Sequence, residues 1–213
     1  MSRGDLGARR LYLCTPDRPD LAEFVAACIR GGVDVVQLRE KELDDRRLLE
    51  RAELVQAVCG DTGVPFLLND RPDLALACGA DGVHVGQDDV PPVVARRILG
   101  DEAVVGLSTH SPEELAAATG EPVDYVSCGP VEPTPTKPGR PGTGLEYLRH
   151  AAEKSAHPFF VTGGVTPETV PAMVEAGAHR FVAVRWLTQA ADPEAAARAL
   201  RTAIERASGW DRA

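Results

Sequence analysis

Residues 81–128, DGVHVGQDDVPPVVARRILGDEAVVGLSTHSPEELAAATGEPVDYVSC, determine the fold class that we expect for this chain. Three short runs rich in β-branched residues alternate here with two amphipathic stretches that have helical spacing. The predicted strands cover 81–86, 103–108 and 123–128, and the predicted helices cover 91–99 and 111–119. Strands that alternate with helices in this way indicate β/α units and a parallel sheet.

Start signals support both helices. Pro91 and Pro112 are predicted to occupy first helical positions, where the missing N–H of proline costs nothing. Ser111 is followed three residues later by Glu114, which is the spacing of a capping box.

The same alternation continues along the whole chain. Eight strands, each followed by a helix, predict a single-domain (β/α)8 barrel over residues 1–213, with its core at about 9–207. A doubly wound open sheet is the structural alternative, although it would leave edge strands and usually has fewer units. The other predicted strands cover 10–15, 33–39, 65–70, 158–164 and 180–186, and two further helices cover 44–59 and 192–207.

Composition excludes several classes of protein. The chain has 213 residues and a net charge of −9, from 23 basic and 32 acidic side chains, which argues against a nucleic-acid-binding surface. No apolar run approaches the roughly 18 residues of a membrane span, and the N-terminus lacks a hydrophobic signal-peptide region, so we expect a cytoplasmic protein. The five cysteines lack metal-ligand spacing and are expected to be reduced and mostly buried.

Catalytic groups of a β/α barrel lie at the C-terminal ends of its strands. Alternation along a strand therefore separates side chains that face the helices from those that face the barrel mouth. In the second strand, Val36 and Leu38 are predicted to face the helices, while Gln37, Arg39 and Lys41 converge on the mouth.

The fourth and fifth strands add further inward groups. Gly106, Ser108 and His110 share the inward face of the fifth strand, and His84 points inward between two glycines. For His84 we expect a packed, hydrogen-bonded place inside the barrel. His110 is either an orienting or acid/base group or a structural histidine.

Two aspartates follow neighbouring strands. Asp70 ends the third strand and Asp89 follows the fourth, so both carboxylates can reach one hard cation such as Mg²⁺. Helix capping is the alternative role, because aspartate is a favoured N-cap. Pro72 at the first helical position would place the cap at Arg71, which weakens that alternative for Asp70.

Three cations accompany the aspartates on the same rim: Arg39, Lys41 and Lys137. Each could instead be an ordinary solvated surface charge. A phosphate-rich ligand together with Mg²⁺ would satisfy all of these charges at once.

The stretch 128–144, CGPVEPTPTKPGRPGTG, is predicted to be a long loop without secondary structure. Loops of this length are usually functional or disordered. Thr134, Thr136 and Lys137 offer two hydroxyl groups and a cation beside several backbone N–H groups, which is the chemistry of an anion-binding nest.

A second anion site is predicted after the seventh strand. Gly163 and Gly164 allow backbone to approach an oxyanion, and the N-terminus of the following helix is expected to point its dipole there. Barrels often bind phosphate at the loops after strands 7 and 8. The two glycines could also form a simple turn. Two anion sites, one of them with a metal, suggest two phosphorylated substrates.

The ordered motifs QLREK, ND, GVHVGQDD, GLSTHS, YVSCGPVEPTPTK and TGGV, between about residues 10 and 205, resemble the thiamine phosphate synthase family. The resemblance implies a (β/α)8 barrel that joins a pyrimidinylmethyl diphosphate to a thiazole phosphate with Mg²⁺ and releases diphosphate. It implies catalytic roles for Lys137, Arg39 and Ser108. It also implies small phosphorylated ligands, with neither nucleic acid nor membrane as partner, and leaves a homodimer open.

The residue roles that the resemblance implies fall into three groups. The pyrimidine diphosphate would be held by Gln37, Arg39, Lys41, Asn69 and Lys137, with Ser108 at the departing diphosphate. Asp70 and Asp89 would bind Mg²⁺. The thiazole phosphate would be held by Thr134, Thr136, Gly163 or Gly164, and the backbone of Val184 and Arg185.

One position departs from the family pattern. Trp186 stands after the eighth strand where the family usually has alanine, and it could crowd the thiazole phosphate there. Its alternation with Val182 and Val184 favours the other placement, in which it packs among the helices. Two rival functions remain open: a thiazole tautomerase on the same barrel, and a non-catalytic sensor of phosphorylated ligands.

Overall fold

The computed structural model describes residues 3–133 and 141–209, in which eight strands close into a parallel barrel in chain order. The first strand pairs with the eighth, so the sheet has no edge. The predicted (β/α)8 barrel is therefore confirmed, and the open-sheet alternative is wrong. The strands are β1 Leu11–Thr15, β2 Val35–Leu38, β3 Phe66–Asn69, β4 Gly82–Val85, β5 Val104–Thr109, β6 Tyr125–Cys128, β7 Phe159–Thr162 and β8 Phe181–Ala183.

Helices surround the barrel, and a short 3₁₀ helix at Arg3–Ala8 precedes β1. The α-helices are α1 Leu21–Arg30, α2 Asp45–Thr62, α3 Pro72–Cys78, α4 Pro92–Leu99, α5 Pro112–Ala118, α6 Gly144–Lys154, α7 Val170–Glu175, α8 Arg185–Thr188 and α9 Pro193–Ser208.

The predicted start of α5 is confirmed, and that of α4 lies one residue later than predicted. Helix α5 begins at Pro112, and the Ser111 hydroxyl accepts a hydrogen bond from the backbone N–H of Glu114 at 3.3 Å. In α4, however, Pro91 is the N-cap and Pro92 is the first helical residue, so the predicted start at Pro91 is wrong by one position.

The eighth strand is shorter than predicted. It ends at Ala183, and Val184 leaves the extended conformation with φ −119° and ψ −87° to start α8. Trp186 therefore lies on α8 and does not continue the strand alternation. The prediction that placed Trp186 on the helix-facing side of the strand is wrong.

Alternation along the other strands sorts their side chains into two buried layers. Val36 and Leu38 belong to the cluster between barrel and helices, as predicted, and so does Val105. Tyr12 and the other inward-facing residues form a second cluster inside the barrel. Val182 belongs to this interior cluster, which corrects its predicted place beside the helices.

A repeated aspartate contact closes the N-terminal end of the barrel. An aspartate precedes each of three even-numbered strands and accepts a hydrogen bond from a backbone N–H of the strand before it. The contacts are Asp34 with Leu11 at 2.8 Å, Asp81 with Phe66 at 2.9 Å, and Asp124 with Val105 at 2.8 Å. Arginines pair with two of these aspartates, Arg201 with Asp34 and Arg96 with Asp124, at 2.6 Å each. This end is thus occupied by structural contacts.

Among the described residues, every α-helix is too short or too polar to traverse a lipid bilayer. The cysteines are free thiols as expected, with Cys78 half-buried and the other four buried.

Candidate active site

A cavity of about 570 Å³ opens at the C-terminal ends of the strands. This is where barrel enzymes carry their catalytic groups. Its floor is formed by inward side chains of the strands, and its rim by the segments that follow β2, β7 and β8. The predicted site residues that line it are Gln37, Arg39, Asn69, Ser108, Gly163, Gly164, Val184 and Arg185.

The two predicted metal-binding aspartates meet beside this cavity. Their carboxyl groups share a hydrogen bond, and the Nζ of Lys41 lies 2.7 Å from the Oδ2 of Asp70. Asp70 has a φ of +62°, the left-handed region that non-glycine residues rarely adopt. The Oδ2 of Asp89 also accepts a hydrogen bond from the backbone N–H of Gly86 at 2.9 Å. A left-handed backbone at a non-glycine residue, as at Asp70, is typical of functional sites.

Electrostatics distinguish the two carboxyl groups. Burial raises the pKa of Asp70, and the neighbouring Asp89 raises it further, while Lys41 only partly opposes these effects. Burial also disfavours the charged form of Asp89, but the hydrogen bonds from Asp70 and Gly86, with the nearby cations, hold its pKa below the ordinary aspartate value. The pKa values of the two carboxyl groups are thus shifted in opposite directions, as expected when two carboxyl groups crowd one place.

Neither aspartate caps a helix. Arg71 is the N-cap of α3, with Pro72 first in the helix as the sequence indicated, and α4 is capped by Pro91 without a side-chain bond. In the described ranges, no third carboxylate, histidine or cysteine joins the pair. Mg²⁺ commonly takes one or two carboxylates and fills its other positions with water and phosphate oxygens, so this donor set fits that ion.

Two arginines lie at different parts of the cavity rim. Arg39 follows β2 on the side of the aspartates, where its charge helps to lower the pKa of Asp89. Arg185 begins α8, on the rim beside Gly163 and Gly164. Neither guanidinium has a hydrogen bond or ion pair with another described residue. Both are therefore available to an anionic ligand.

The backbone after β7 adopts positive φ angles, which its two glycines permit. Gly163 and Gly164 have φ of +90° and +75°. A Cβ added to Gly163 would lie 2.5 Å from the Cβ of Pro130, so this position cannot carry a side chain without movement. The following helix α7 starts only at Val170, so the expected helix N-terminus does not adjoin the two glycines.

The long loop begins and ends at the same rim. The backbone N–H of Val131 donates to the carbonyl of Thr162 at 2.8 Å, and that of Thr143 donates to the carbonyl of Pro130 at 2.7 Å. Both ends of the loop are thus fixed beside β7. The predicted ligand contacts Thr134, Thr136 and Lys137 lie outside the described residues.

A row of hydrogen bonds crosses the cavity floor. The Gln37 Nε2 lies 2.9 Å from the Tyr12 hydroxyl, which lies 3.1 Å from the Tyr125 hydroxyl. His84 connects Tyr125 to Ser108, with Nδ1 at 2.8 Å from the Tyr125 hydroxyl and Nε2 at 2.9 Å from the Ser108 Oγ.

This row confirms the expected role of His84 as a hydrogen-bonded interior residue. Sequence reasoning missed Tyr12 and Tyr125, although both fall on inward positions of their strands and could have been found by the same alternation. His110 contacts Glu114 through its backbone N–H at 2.7 Å and its Nδ1 at 2.8 Å, and does not line the cavity.

Trp186 also lines the cavity. Its Nε1 donates to the carbonyl of Ala196 at 3.0 Å, which fixes the indole between α8 and α9. The ring thus forms part of the wall beside Val184 and Arg185.

Comparison with known sequences identifies relatives over nearly the whole chain. Residues 11–187 match the family model described as thiamine monophosphate synthase. A thiamine-phosphate synthase of Saccharopolyspora erythraea is 47% identical over 213 residues, covering 95% of this chain and 96% of that protein. One of Mycobacterium bovis is 44% identical over 222 residues, covering 98% of this chain and 100% of that protein.

A solved structure is similar in fold. The thiamine phosphate pyrophosphorylase of Pyrococcus furiosus superposes with a TM-score of 0.85 at 29% sequence identity. The match covers 93% of this chain and 96% of that one.

Proposed function

The chain belongs to the thiamine monophosphate synthase family and is a transferase of thiamine biosynthesis, and from that premise we propose its substrates and the work of its residues. The proposed reaction joins 4-amino-2-methyl-5-(diphosphooxymethyl)pyrimidine to 4-methyl-5-(2-phosphooxyethyl)thiazole. The C–O bond of the pyrimidinylmethyl group breaks, and its electron pair leaves with diphosphate. The lone pair of the thiazole nitrogen then forms the new C–N bond.

The observation that carries this proposal is the distribution of charge around one cavity. The pair Asp70 and Asp89 lies with Lys41 and Arg39 on one side, and Arg185 lies with the two glycines at another part of the rim. A diphosphate with a cation suits the first group, because the aspartates alone would repel it. A monophosphate suits the second group, because Arg185 supplies a cation there and the two glycines carry no side chain; the Glu132 carboxylate, which lies against Gly164, would have to turn away from the bound anion.

Within this scheme, the aspartates would hold Mg²⁺, which when bound supplies positive charge against the departing diphosphate. Arg39 and Lys41 would bind the phosphate oxygens, and Lys41 would exchange its contact with Asp70 for a substrate oxygen. Gln37 and Asn69, both nearly buried on the floor, would orient the pyrimidine. No described group needs to act as a nucleophile, because the work is positioning and charge stabilisation.

The residues outside the described ranges have proposed roles of their own. Lys137 would add a cation at the leaving group, and Thr134 and Thr136 would donate to the thiazole phosphate. Replacing Lys137 by alanine would then lower turnover on the order of 100-fold, the usual effect of losing one group that stabilises transition-state charge.

The deciding experiment supplies both substrates with MgCl₂ and measures diphosphate and thiamine phosphate. The expected result is equal amounts of the two products, and neither product when either substrate or Mg²⁺ is omitted. A thiazole tautomerase would convert the thiazole compound alone, and a sensor would bind ligand without releasing diphosphate. Either of those results would overturn the proposal.

A further inference from the structure

The hydrogen-bond row on the cavity floor has a direction that its donors and acceptors determine. Cys14 lies at one end, with its Sγ 3.0 Å from the Oε1 of Gln37. A thiol is a donor and only a weak acceptor, so the amide carbonyl belongs on that side. The amide NH₂ of Gln37 then faces Tyr12 and donates to its hydroxyl at 2.9 Å.

Each phenol has one proton to give. Burial raises the pKa of Tyr12 and of Tyr125, so both phenols stay protonated at physiological pH. The Tyr12 hydroxyl accepts from Gln37 and donates to the Tyr125 hydroxyl at 3.1 Å. The Tyr125 hydroxyl accepts this hydrogen bond and donates one of its own to His84 Nδ1 at 2.8 Å.

The imidazole of His84 continues the same donor-to-acceptor order to Ser108. Because Nδ1 of His84 accepts, the ring proton is on Nε2, which donates to the Oγ of Ser108 at 2.9 Å. Ser127 donates to the same oxygen at 3.3 Å. The Ser108 Oγ therefore accepts two hydrogen bonds from the protein, and its own hydroxyl proton is directed to another acceptor.

We propose that the row Cys14–Gln37–Tyr12–Tyr125–His84 positions Ser108 as an obligate hydrogen-bond donor to an anionic oxygen in the cavity. This rests on the proposed function, in which that oxygen belongs to the departing diphosphate. Tyr12, Tyr125 and His84 are positioning residues, because they act through Ser108. The reverse direction would present Ser108 as an acceptor. The Tyr12 oxygen would then accept from both Gln37 and Tyr125, and its own proton would have no acceptor among the described residues.

A glycine makes room for this arrangement. A Cβ on Gly106 would lie 2.2 Å from the Cζ and 2.4 Å from the hydroxyl oxygen of Tyr125. The phenol crosses the space that a side chain would fill, and its ring stacks on His84 with centroids 5.5 Å apart. Only glycine at 106 lets Tyr125 reach both neighbours.

The first test needs no substrate. In ¹⁵N-labelled free protein near neutral pH, the His84 signals are assigned by their loss in His84→Gln. We expect Nε2 to carry the proton and Nδ1 to be unprotonated. A ring protonated at Nδ1, alone or together with Nε2, would overturn the proposal whether or not the protein releases diphosphate.

The second test separates positioning from packing. Tyr125→Phe should shift the His84 tautomer population and lower kcat on the order of tenfold to a hundredfold, with both KM values within about twofold. Tyr147→Phe is the matched control, since its hydroxyl donates to Thr109 on the helix side at 2.7 Å. Equal kcat in the two variants would contradict the positioning role.

Cysteine variants keep the proposal testable if Tyr125→Phe does not fold. Cys14→Ser retains a donor to Gln37 and should keep the His84 tautomer, whereas Cys14→Ala should lose it in part. Cys28→Ala, a buried cysteine of α1, controls for packing loss. Identical tautomers in the serine and alanine variants would show that Cys14 does not set the direction.

Discussion

The Nζ of Lys41 lies 2.7 Å from the Oδ2 of Asp70. A residue predicted to bind the diphosphate is thus paired with a residue predicted to bind the metal. About half of the lysine side chain is exposed, at 48%, against 17% for the aspartate. The contact compensates part of the charge that Asp70 and Asp89 bring together. Entry of a cation would replace this contact and free Lys41 for the substrate, which couples the two binding events.

That coupling predicts the behaviour of the aspartate variants. Asp70→Asn and Asp89→Asn should each weaken Mg²⁺ activation at least about tenfold and raise the KM of the pyrimidine diphosphate, with the thiazole phosphate KM nearly unchanged. Titration of Mg²⁺ at fixed substrate measures this. Asp88→Asn is the control, as an exposed neighbour. Wild-type Mg²⁺ dependence in both variants would remove the metal assignment.

The two rim arginines should divide between the two substrates. Arg39→Ala should raise the KM of the pyrimidine diphosphate about 10- to 100-fold, and Arg185→Ala should do so for the thiazole phosphate, since each loses a charged hydrogen bond. Initial rates with each substrate varied in turn test the division. Arg30→Ala removes an exposed arginine paired with Glu194 and should change neither KM. Equal effects on both substrates would contradict separate subsites.

Trp186 should affect binding as well as stability, because it lines the cavity. Trp186→Ala should raise the thiazole phosphate KM and cost about 2 kcal/mol of unfolding free energy, less than the 3–5 expected of a fully buried tryptophan. Trp186→Phe keeps much of the wall and loses the bond to Ala196, so it should show a smaller KM change. Urea unfolding and steady-state kinetics measure the two effects. An unchanged KM in the alanine variant would place the ring outside the binding path.

The N-terminal end of the barrel should influence stability without changing turnover. Asp124→Ala leaves the Arg96 guanidinium, itself 9% exposed, without this carboxylate and should cost about 3–5 kcal/mol. Asp45→Ala breaks an exposed pair with Arg71 and should leave the unfolding free energy nearly unchanged. Both variants should keep the wild-type kcat at a temperature where they are folded. A large loss of kcat in folded Asp124→Ala would mean that this end communicates with the site.

Alkaline pH should destabilise the fold through its buried thiols. Burial raises the pKa of Cys28 and of Cys59 to about 12, and that of Cys128 to about 11. The unfolded thiol loses its proton near pH 8.5 while the folded thiol keeps it, so unfolding releases protons and stability falls as pH rises from there through the folded pKa.

The expected slope reaches about 1.4 kcal/mol per pH unit for each thiol. Urea midpoints under reducing conditions at pH 7.5, 9 and 10 measure it. Cys59→Ala should have a shallower slope above pH 8.5 and the same slope below it. An unchanged slope above pH 8.5 would show that Cys59 titrates normally in the fold.

Sequence periodicity was sufficient for the barrel and for most inward positions. The strands alternate strictly, so Gln37 and Ser108 could be assigned to the cavity, and Val36 and Leu38 to the helix side, without coordinates. The same alternation failed beyond Ala183, because the chain turns into α8 there and a period of two no longer applies.

The sequence by itself determined which chemical groups the barrel mouth carries, because parallel strands of a closed sheet must end on one side. Only the tertiary structure decided which groups touch. The left-handed backbone at Asp70 and the short side chain of Gly106 depend on contacts between separate strands. The pairing of Lys41 with Asp70 and the approach of Tyr125 to His84 join residues that are far apart in the chain, and no local pattern encodes such distances.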